Sequence, residues 1–423
     1  MWQTGAKLLR RLRGRFGAVA AKGSSAVYSA DLPEGFGARR ITMRLSAISL
    51  QPRPTLSFSD HVTDEFGRPT DTLLGVLHGG IAISHDLGRR WNLVKVKGRE
   101  AHHFVHARSI GNSEYLVQST PSREDADNKP VVDLLVVNEK GEVLAEHPRH
   151  GFRWHGCRAV DDARGTLMYA EYPRNKMVEG KRPSPARVFR SRDRGRSWQV
   201  VFERPGTEIR HFHFLQARRM VPGEWWLTSG DYPHESHIWI SRDDGDNWTD
   251  LTSALPPSFE LNGTKHDHDV FRLTDLVFSD DEVIWATDDD LVSAIPPGAS
   301  VFRSVVGPAL APRFVGRGRW HFRSIVDLGD YLVLLSQRSS KSAAKLNAGG
   351  PGVYLMRKHP QSGAEAFAHL FDLDVFPTKE QRVGFTFSRA SRAAKNGIFF
   401  SYRSDQDVFN GGHRMLEWRV DFE

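Results

Sequence analysis

The sequence is poor in three things. Only one of its 423 residues is a cysteine, Cys157. No disulfide can form within the chain, so packing and hydrogen bonds must hold the fold, as suits a reducing compartment. No run of about 18 apolar residues occurs, so no segment reads as a membrane span. Acidic residues are missing from the first 30 positions, where Lys7, Arg10, Arg11, Arg13, Arg15 and Lys22 carry six of the seven net positive charges. This stretch also lacks the apolar core of about 7–15 residues that a secretory signal needs. A cytoplasmic protein is therefore expected. Trp2, Leu8, Leu9, Leu12 and Phe16 interleave with the basic residues. Two readings follow for residues 1–38: a disordered basic tail, or a weak amphipathic helix touching an anionic membrane surface. The rest of the chain, 39–423, is close to neutral and reads as a single domain, so no nucleic-acid partner is expected.

Aromatic residues are abundant, with 11 Trp and 25 Phe. They suit a β-rich core and sugar-stacking surfaces equally well. Three octets share the pattern S-x-D-x-G-x-x-W: Ser84–Trp91, Ser191–Trp198 and Ser241–Trp248. An ionised Asp accepts several backbone N–H groups inside a tight turn. The Gly two residues on permits the positive φ of such a turn, and the final Trp opens the next strand. Apolar strand-like segments flank the octets, so each octet is expected at the tip of a β-hairpin.

These octets resemble the Asp-box, or BNR repeat, of the sialidase superfamily. The second copy fits fully. Arg90 and Asn247 stand where Ser or Thr is usual, and the early Arg-Ile-Pro motif of sialidases is absent. The resemblance implies an all-β fold, a β-propeller. It also implies a sialidase-like glycoside hydrolase acting on an anionic glycan of the sialic- or uronic-acid type.

Strand-like pairs recur at 103–110 with 114–119, 154–160 with 166–171, 209–217 with 224–230, 269–278 with 282–288, 320–327 with 331–337, and 383–389 with 398–403. Their starts lie roughly 50–60 residues apart, a blade-sized period. With the first octet unit they give seven four-stranded blades, with six as the alternative because 41–72 is hard to partition. Outer hairpins are expected at 132–145, at 291–304 around Pro296-Pro297-Gly298, and at 353–372. A strand near 413–420 should close the ring with one near 41–49. Ser339–Ala344 and Gly349–Gly352 read as a flexible loop.

In such a propeller the octets occupy one face. The starts of first strands and the ends of second strands lie on the other. Those positions hold His103, His106, His155, Arg158, His211, His213, Arg272, His321 and Arg323, which account for six of the 19 His. They also hold Glu171, Tyr172, Asp231, Tyr232, Glu235, Tyr402 and Arg403. Arg can grip a carboxylate with two parallel hydrogen bonds. Asp231, Glu235, Glu171 and Tyr402 are therefore the expected catalytic groups. Tyr402 is the late Tyr that the family resemblance implies as nucleophile, with Glu171 or Glu235 as partner. The expected substrate-binding groups are His103, His155, Arg158, His211, His213, Arg272, His321, Arg323 and Arg403. Two alternatives stand beside the hydrolase: a non-catalytic propeller binding glycan or protein, and a polysaccharide lyase using His211, His213, Tyr232 and Arg272. No cofactor is expected and no metal site is assigned. His266 and His268 alternate along a possible strand, but two ligands do not make a site.

Overall fold

The computed structural model describes residues 25–48, 57–63, 69–86, 90–120, 133–147, 160–161, 165–171, 173, 184–256, 258–261, 264–287, 299–318, 321–337, 352–360, 365–372, 383–386, 397–404 and 413–423. His155, Cys157, Arg158, Tyr172, the basic stretch 1–24 and residues 339–351, where a loop is expected, lie outside them.

The chain is almost entirely β and forms a β-propeller. Among the described residues, six sheets have four strands each. They run through residues 57–95, 103–147, 160–204, 212–250, 273–317 and 321–372, here the first to sixth sheets. A seventh, closing sheet has five strands and joins the chain ends. In it Arg40–Ile48 pairs antiparallel with His413–Phe422, from Ile41 opposite Phe422 to Ile48 opposite Met415. The closing pair expected near 41–49 and 413–420 is therefore present. The outermost strand of this sheet is Ser25–Asp31, so part of the span set apart as a tail belongs to the fold. The buried Phe36 anchors the turn that follows this strand.

Each sheet is apolar on both faces, and consecutive sheets share a core. Leu74 and Ile81 of the first pack with Phe104 and Val117 of the second. Leu116 and Val136 meet Leu167 and Tyr169. Met168 and Val188 meet Phe212 and Trp225. Phe214 and Trp226 meet Trp285 and Phe302. Ile284 and Val301 meet Phe322 and Tyr354. Val333 and Leu355 meet Met43 and Val420 of the closing sheet. The ring closes where Ser57–Thr63 lies against Gly397–Ser404 and His413–Phe422. Trp225 and Trp226 show the logic in one dipeptide. Neighbours in a strand point to opposite faces, so one indole fills the gap to the third sheet and the other the gap to the fifth. Each fully buried indole contributes about 3 kcal/mol or more from area alone.

The octets join third to fourth strands in the first, third and fourth sheets. In the third sheet Asp193 Oδ1 accepts from Ser191 Oγ at 2.7 Å and from the Ser197 amide at 2.8 Å. The fourth-sheet octet repeats this with Asp243, and Asn247 Nδ2 donates to Asp243 Oδ2 at 2.7 Å, taking the place of the usual hydroxyl. Gly195 and Gly245 have φ of 85° and 87°. A Cβ on Gly195 would lie 2.9 Å from Val136 Cγ2 of the second sheet.

The structure differs from the sequence reading in two places. The outer strands of the fifth sheet are Ser300–Val305 and Arg313–Arg317, so the hairpin turns within 306–312 and not around Pro296-Pro297-Gly298. The unbroken buried run of Ser300–Ser304 needs a whole strand. Between the fourth and fifth sheets an additional hairpin pairs Ser258–Leu261 with Thr264–Asp267. Its register pairs Leu261 with Thr264 and Ser258 with Asp267.

Two substitutions test the octets by urea unfolding. Gly195→Ala should cost about 1–3 kcal/mol through backbone strain and the clash with Val136. Asp243→Ala should cost about 1 kcal/mol at neutral pH from lost hydrogen bonds. Hydrogen bonds from Asn247 hold the Asp243 carboxyl below the usual range. Its contribution is therefore complete above the unfolded value of about 3.9 and is lost as pH falls through the lower folded value. The gap between wild type and Asp243→Ala should close on acidification.

Candidate functional site

The first and third strands of each sheet run in the same direction, so the octets lie at one end of the ring. The starts of first strands and the ends of second strands lie at the other. At that end of the fourth sheet, Phe212–Ala217 begins just after Arg210 and His211, and Trp225–Ser229 ends just before Asp231. The first strand carries a bulge: Phe212 pairs with Ser229 and Phe214 with Thr228, leaving His213 as the extra residue. A bulge re-aims the side chain it frees. The rings of His211 and His213 lie with centroids 5.0 Å apart, and their Nε2 atoms are 3.1 Å apart.

Asp231 faces this pair. Its Oδ1 is 3.7 Å from His211 Nε2 and 3.5 Å from His213 Nε2. Its Oδ2 accepts from Arg210 Nη1 at 2.6 Å. From the start of the fifth sheet, Arg272 places Nη2 4.0 Å from Oδ1 and donates through Nη1 to the Asp231 carbonyl at 3.4 Å. Burial alone would raise the Asp231 carboxyl. The contact from His213 and the charges of His211, His213 and Arg210 outweigh it and hold the group far below the usual carboxylate range. The same contacts give Asp231 fixed negative charge within the cluster.

Glu235 ends a 3-10 turn, Pro233–Glu235, that follows Asp231. Its buried carboxylate accepts from the Arg210 amide at 3.2 Å, and its carbonyl accepts from Ser229 Oγ at 2.6 Å. Arg210 thus touches both carboxylates, one through its side chain and the other through its backbone. On the same turn Tyr232 and His234 stack at 5.9 Å with 14° between planes, and they are 50% and 74% exposed. They form an aromatic lip beside the charged cluster.

The structure thus gathers Asp231, Glu235, His211, His213 and Arg272. The other expected residues belong to other sheets or lie outside the described residues. His103 starts the first strand of the second sheet, its ring 4.7 Å from that of His78. His321 is buried at the start of the sixth sheet. Glu171 follows the second strand of the third sheet, where its amide donates to the Arg187 carbonyl. Tyr402 and Arg403 belong to the strand Gly397–Ser404, and Arg323 to His321–Asp327; the side chains of these three lie outside the described residues, as do His155 and Arg158. His266 and His268 do not share a strand face. The strand stops at Asp267, and His268 opens a 3-10 turn with Nε2 donating to the Pro256 carbonyl. Arg210 and His234 escaped the sequence reading. Their signals are adjacency to His211 and alternation with Tyr232.

No protein-family model matches the chain, and no curated protein sequence does. Three solved structures illustrate its similarity in shape. YCF48 from Cyanidioschyzon merolae has a TM-score of 0.49 at 10% identity, over 89% of this chain and 98% of that one. A chain of a mitotic checkpoint complex gives 0.47 at 9% identity, over 88% and 94%. The Neurospora crassa Pan2 WD40 domain gives 0.45 at 10% identity, over 88% and 93%.

The half-exposed Arg210 pairs with a mostly buried carboxylate, which sets the expected effect of its loss. Arg210→Ala should destabilise the protein by about 2 kcal/mol, between exposed and buried pairs. Arg210→Lys should restore part of it. Urea unfolding of the three proteins measures both.

Proposed function

We propose that this propeller is a sialidase-like glycoside hydrolase acting on an anionic glycan at the cluster around Asp231. One observation supports the reading above others: Arg210 and Arg272 converge on a single oxyanion beside the exposed Tyr232–His234 stack. Guanidinium groups suit a sugar carboxylate, and an aromatic lip suits the apolar face of a sugar ring. Asp231 supplies fixed negative charge. Glu235, with Tyr402 and Glu171 as further proposed groups, would supply proton transfer and the nucleophile. The octets, at the opposite end, serve as scaffold.

A second reading rests on the engagement of Asp231. Its carboxylate already engages the side chains of Arg210, His211, His213 and Arg272, an arrangement that suits a fixed recognition surface more than a reacting centre. That favours a non-catalytic propeller binding glycan or protein.

A panel of acidic oligosaccharides separates these readings. Reducing ends without unsaturated uronate absorbance mean hydrolysis. Both signals together mean the lyase alternative. Binding without either signal replaces the enzyme with the binder. In every active case, Arg272→Ala and Tyr232→Ala should each weaken apparent glycan affinity by about tenfold, roughly 1.4 kcal/mol; unchanged affinity in both would move the site away from Asp231.

A further inference from the structure

The geometry points to a metal site at His211, His213 and Asp231 that takes a first-row divalent ion of the zinc class. Three atoms define it: the Nε2 atoms of the two histidines and Oδ1 of the aspartate, separated by 3.1, 3.7 and 3.5 Å. The circle through these atoms has a radius of about 2 Å, so one point lies at bonding distance from all three, since Zn–N and Zn–O bonds are about 2.0–2.2 Å. An ion at that point, or slightly out of the plane, would have all three atoms at bonding distance where they now stand.

Sequence and fold produce this triangle together. His211 stands just before the strand Phe212–Ala217 and His213 is its bulged residue, and the two rings stack with centroids 5.0 Å apart. The bulge frees His213 from the ladder and turns its ring toward the partner. Asp231 arrives from the end of the next strand. Arg210 binds its Oδ2, leaving Oδ1 aimed at the histidines, which is the orienting contact that metal-bound carboxylates receive from neighbouring groups. The histidine side chains are 1% and 4% exposed, and that of Asp231 is 17% exposed. Asp231 is thus the most exposed of the three ligands.

The donor set chooses the metal. Two imidazoles disfavour magnesium and calcium, which take oxygen ligands. Among the described residues the triangle includes no thiolate or thioether to favour copper(I). Two His and one carboxylate, with a position left open, match zinc sites of the kind that bind an exchangeable ligand. Arg272 Nη2 stands 4.0 Å from Oδ1. Its charge selects an anion for the open position, such as hydroxide or a ligand carboxylate. The site stands on the triangle alone and does not require the glycan reading.

The test uses the full chain, stripped with a chelator and titrated with Zn²⁺ against a chromophoric competitor, without any sugar. One ion per chain is expected, with a dissociation constant of about 1 μM or tighter. His213→Gln and Asp231→Asn should each weaken binding by about 100-fold or more. His359→Gln, at an exposed histidine far along the chain, should bind as wild type does. Thermal unfolding of the metal-free proteins checks that the variants fold. X-ray absorption of the wild-type zinc form should show two imidazoles at about 2.0 Å, which keeps the proposal testable if a variant does not fold. Absence of stoichiometric binding overturns it. Equal affinity in wild type, His213→Gln and Asp231→Asn does so too, as does a zinc spectrum without imidazole. Glycan turnover is read separately, so either idea can fail alone.

Discussion

Every sheet in this protein must bury both faces, and that constraint governs the rest. A single antiparallel sheet with two apolar faces is unstable in water. A ring answers the problem by giving each sheet two neighbours and no free edge at the seam. The Trp225-Trp226 pair states the requirement in its shortest form, one large side chain for each neighbour. Once the faces are committed to packing, only the two ends of the ring remain for anything else.

One end is committed to cohesion. Arg190, almost fully buried on the third sheet, donates to the Asp244 carbonyl and to Asp246 of the fourth-sheet octet, both at 2.6 Å. Arg192 reaches Asp244, and Arg196 reaches back to Glu114 of the second sheet. The Trp225 indole donates to Asp244 as well. The octet is therefore both a turn and a bracket. Its Gly packs on the preceding sheet, its Asp closes the loop, and the charged residues between them tie sheet to sheet. A site at this end would compete with those bonds for the same side chains.

The propeller was legible because its signals are local. An octet carries its own turn chemistry, and strand pairs with Gly or Asp-Asp between them announce hairpins. The misses were also local in cause. The hairpin of Ser258–Leu261 with Thr264–Asp267 belongs to no four-stranded sheet, and Pro296-Pro297-Gly298 looked like a turn although the strands it was assigned to begin at Ser300 and Arg313. The site was half legible. Composition singled out His211, His213, Asp231, Glu235 and Arg272 as residues at strand ends, because strand ends can be counted from sequence. Their convergence could not be read, since it depends on a bulge and on which sheet lies next to which. The same limits made His266 and His268 look like a pair, when the strand between them stops one residue too soon.

The bulge at His213 is not isolated. First strands skip a residue between Phe58 and Asp60, Phe104 and His106, Phe212 and Phe214, Leu273 and Asp275, and Phe322 and Ser324. The innermost strands crowd toward the axis, and an extra residue supplies the added twist that crowding requires. In the fifth sheet the device serves packing: the buried Asp275 accepts from the amides of Leu276 and of Ile325 in the sixth sheet. In the fourth sheet it gathers two imidazoles, a carboxylate and two guanidinium groups at one point. Desolvating so many polar groups opposes folding, and apolar side chains of similar size would hold the same space at lower cost. Stability accounts for the bulge, since four other sheets have it. It does not account for the side chains collected around this one, and that surplus of polar chemistry is why the site is proposed at the start of the fourth sheet.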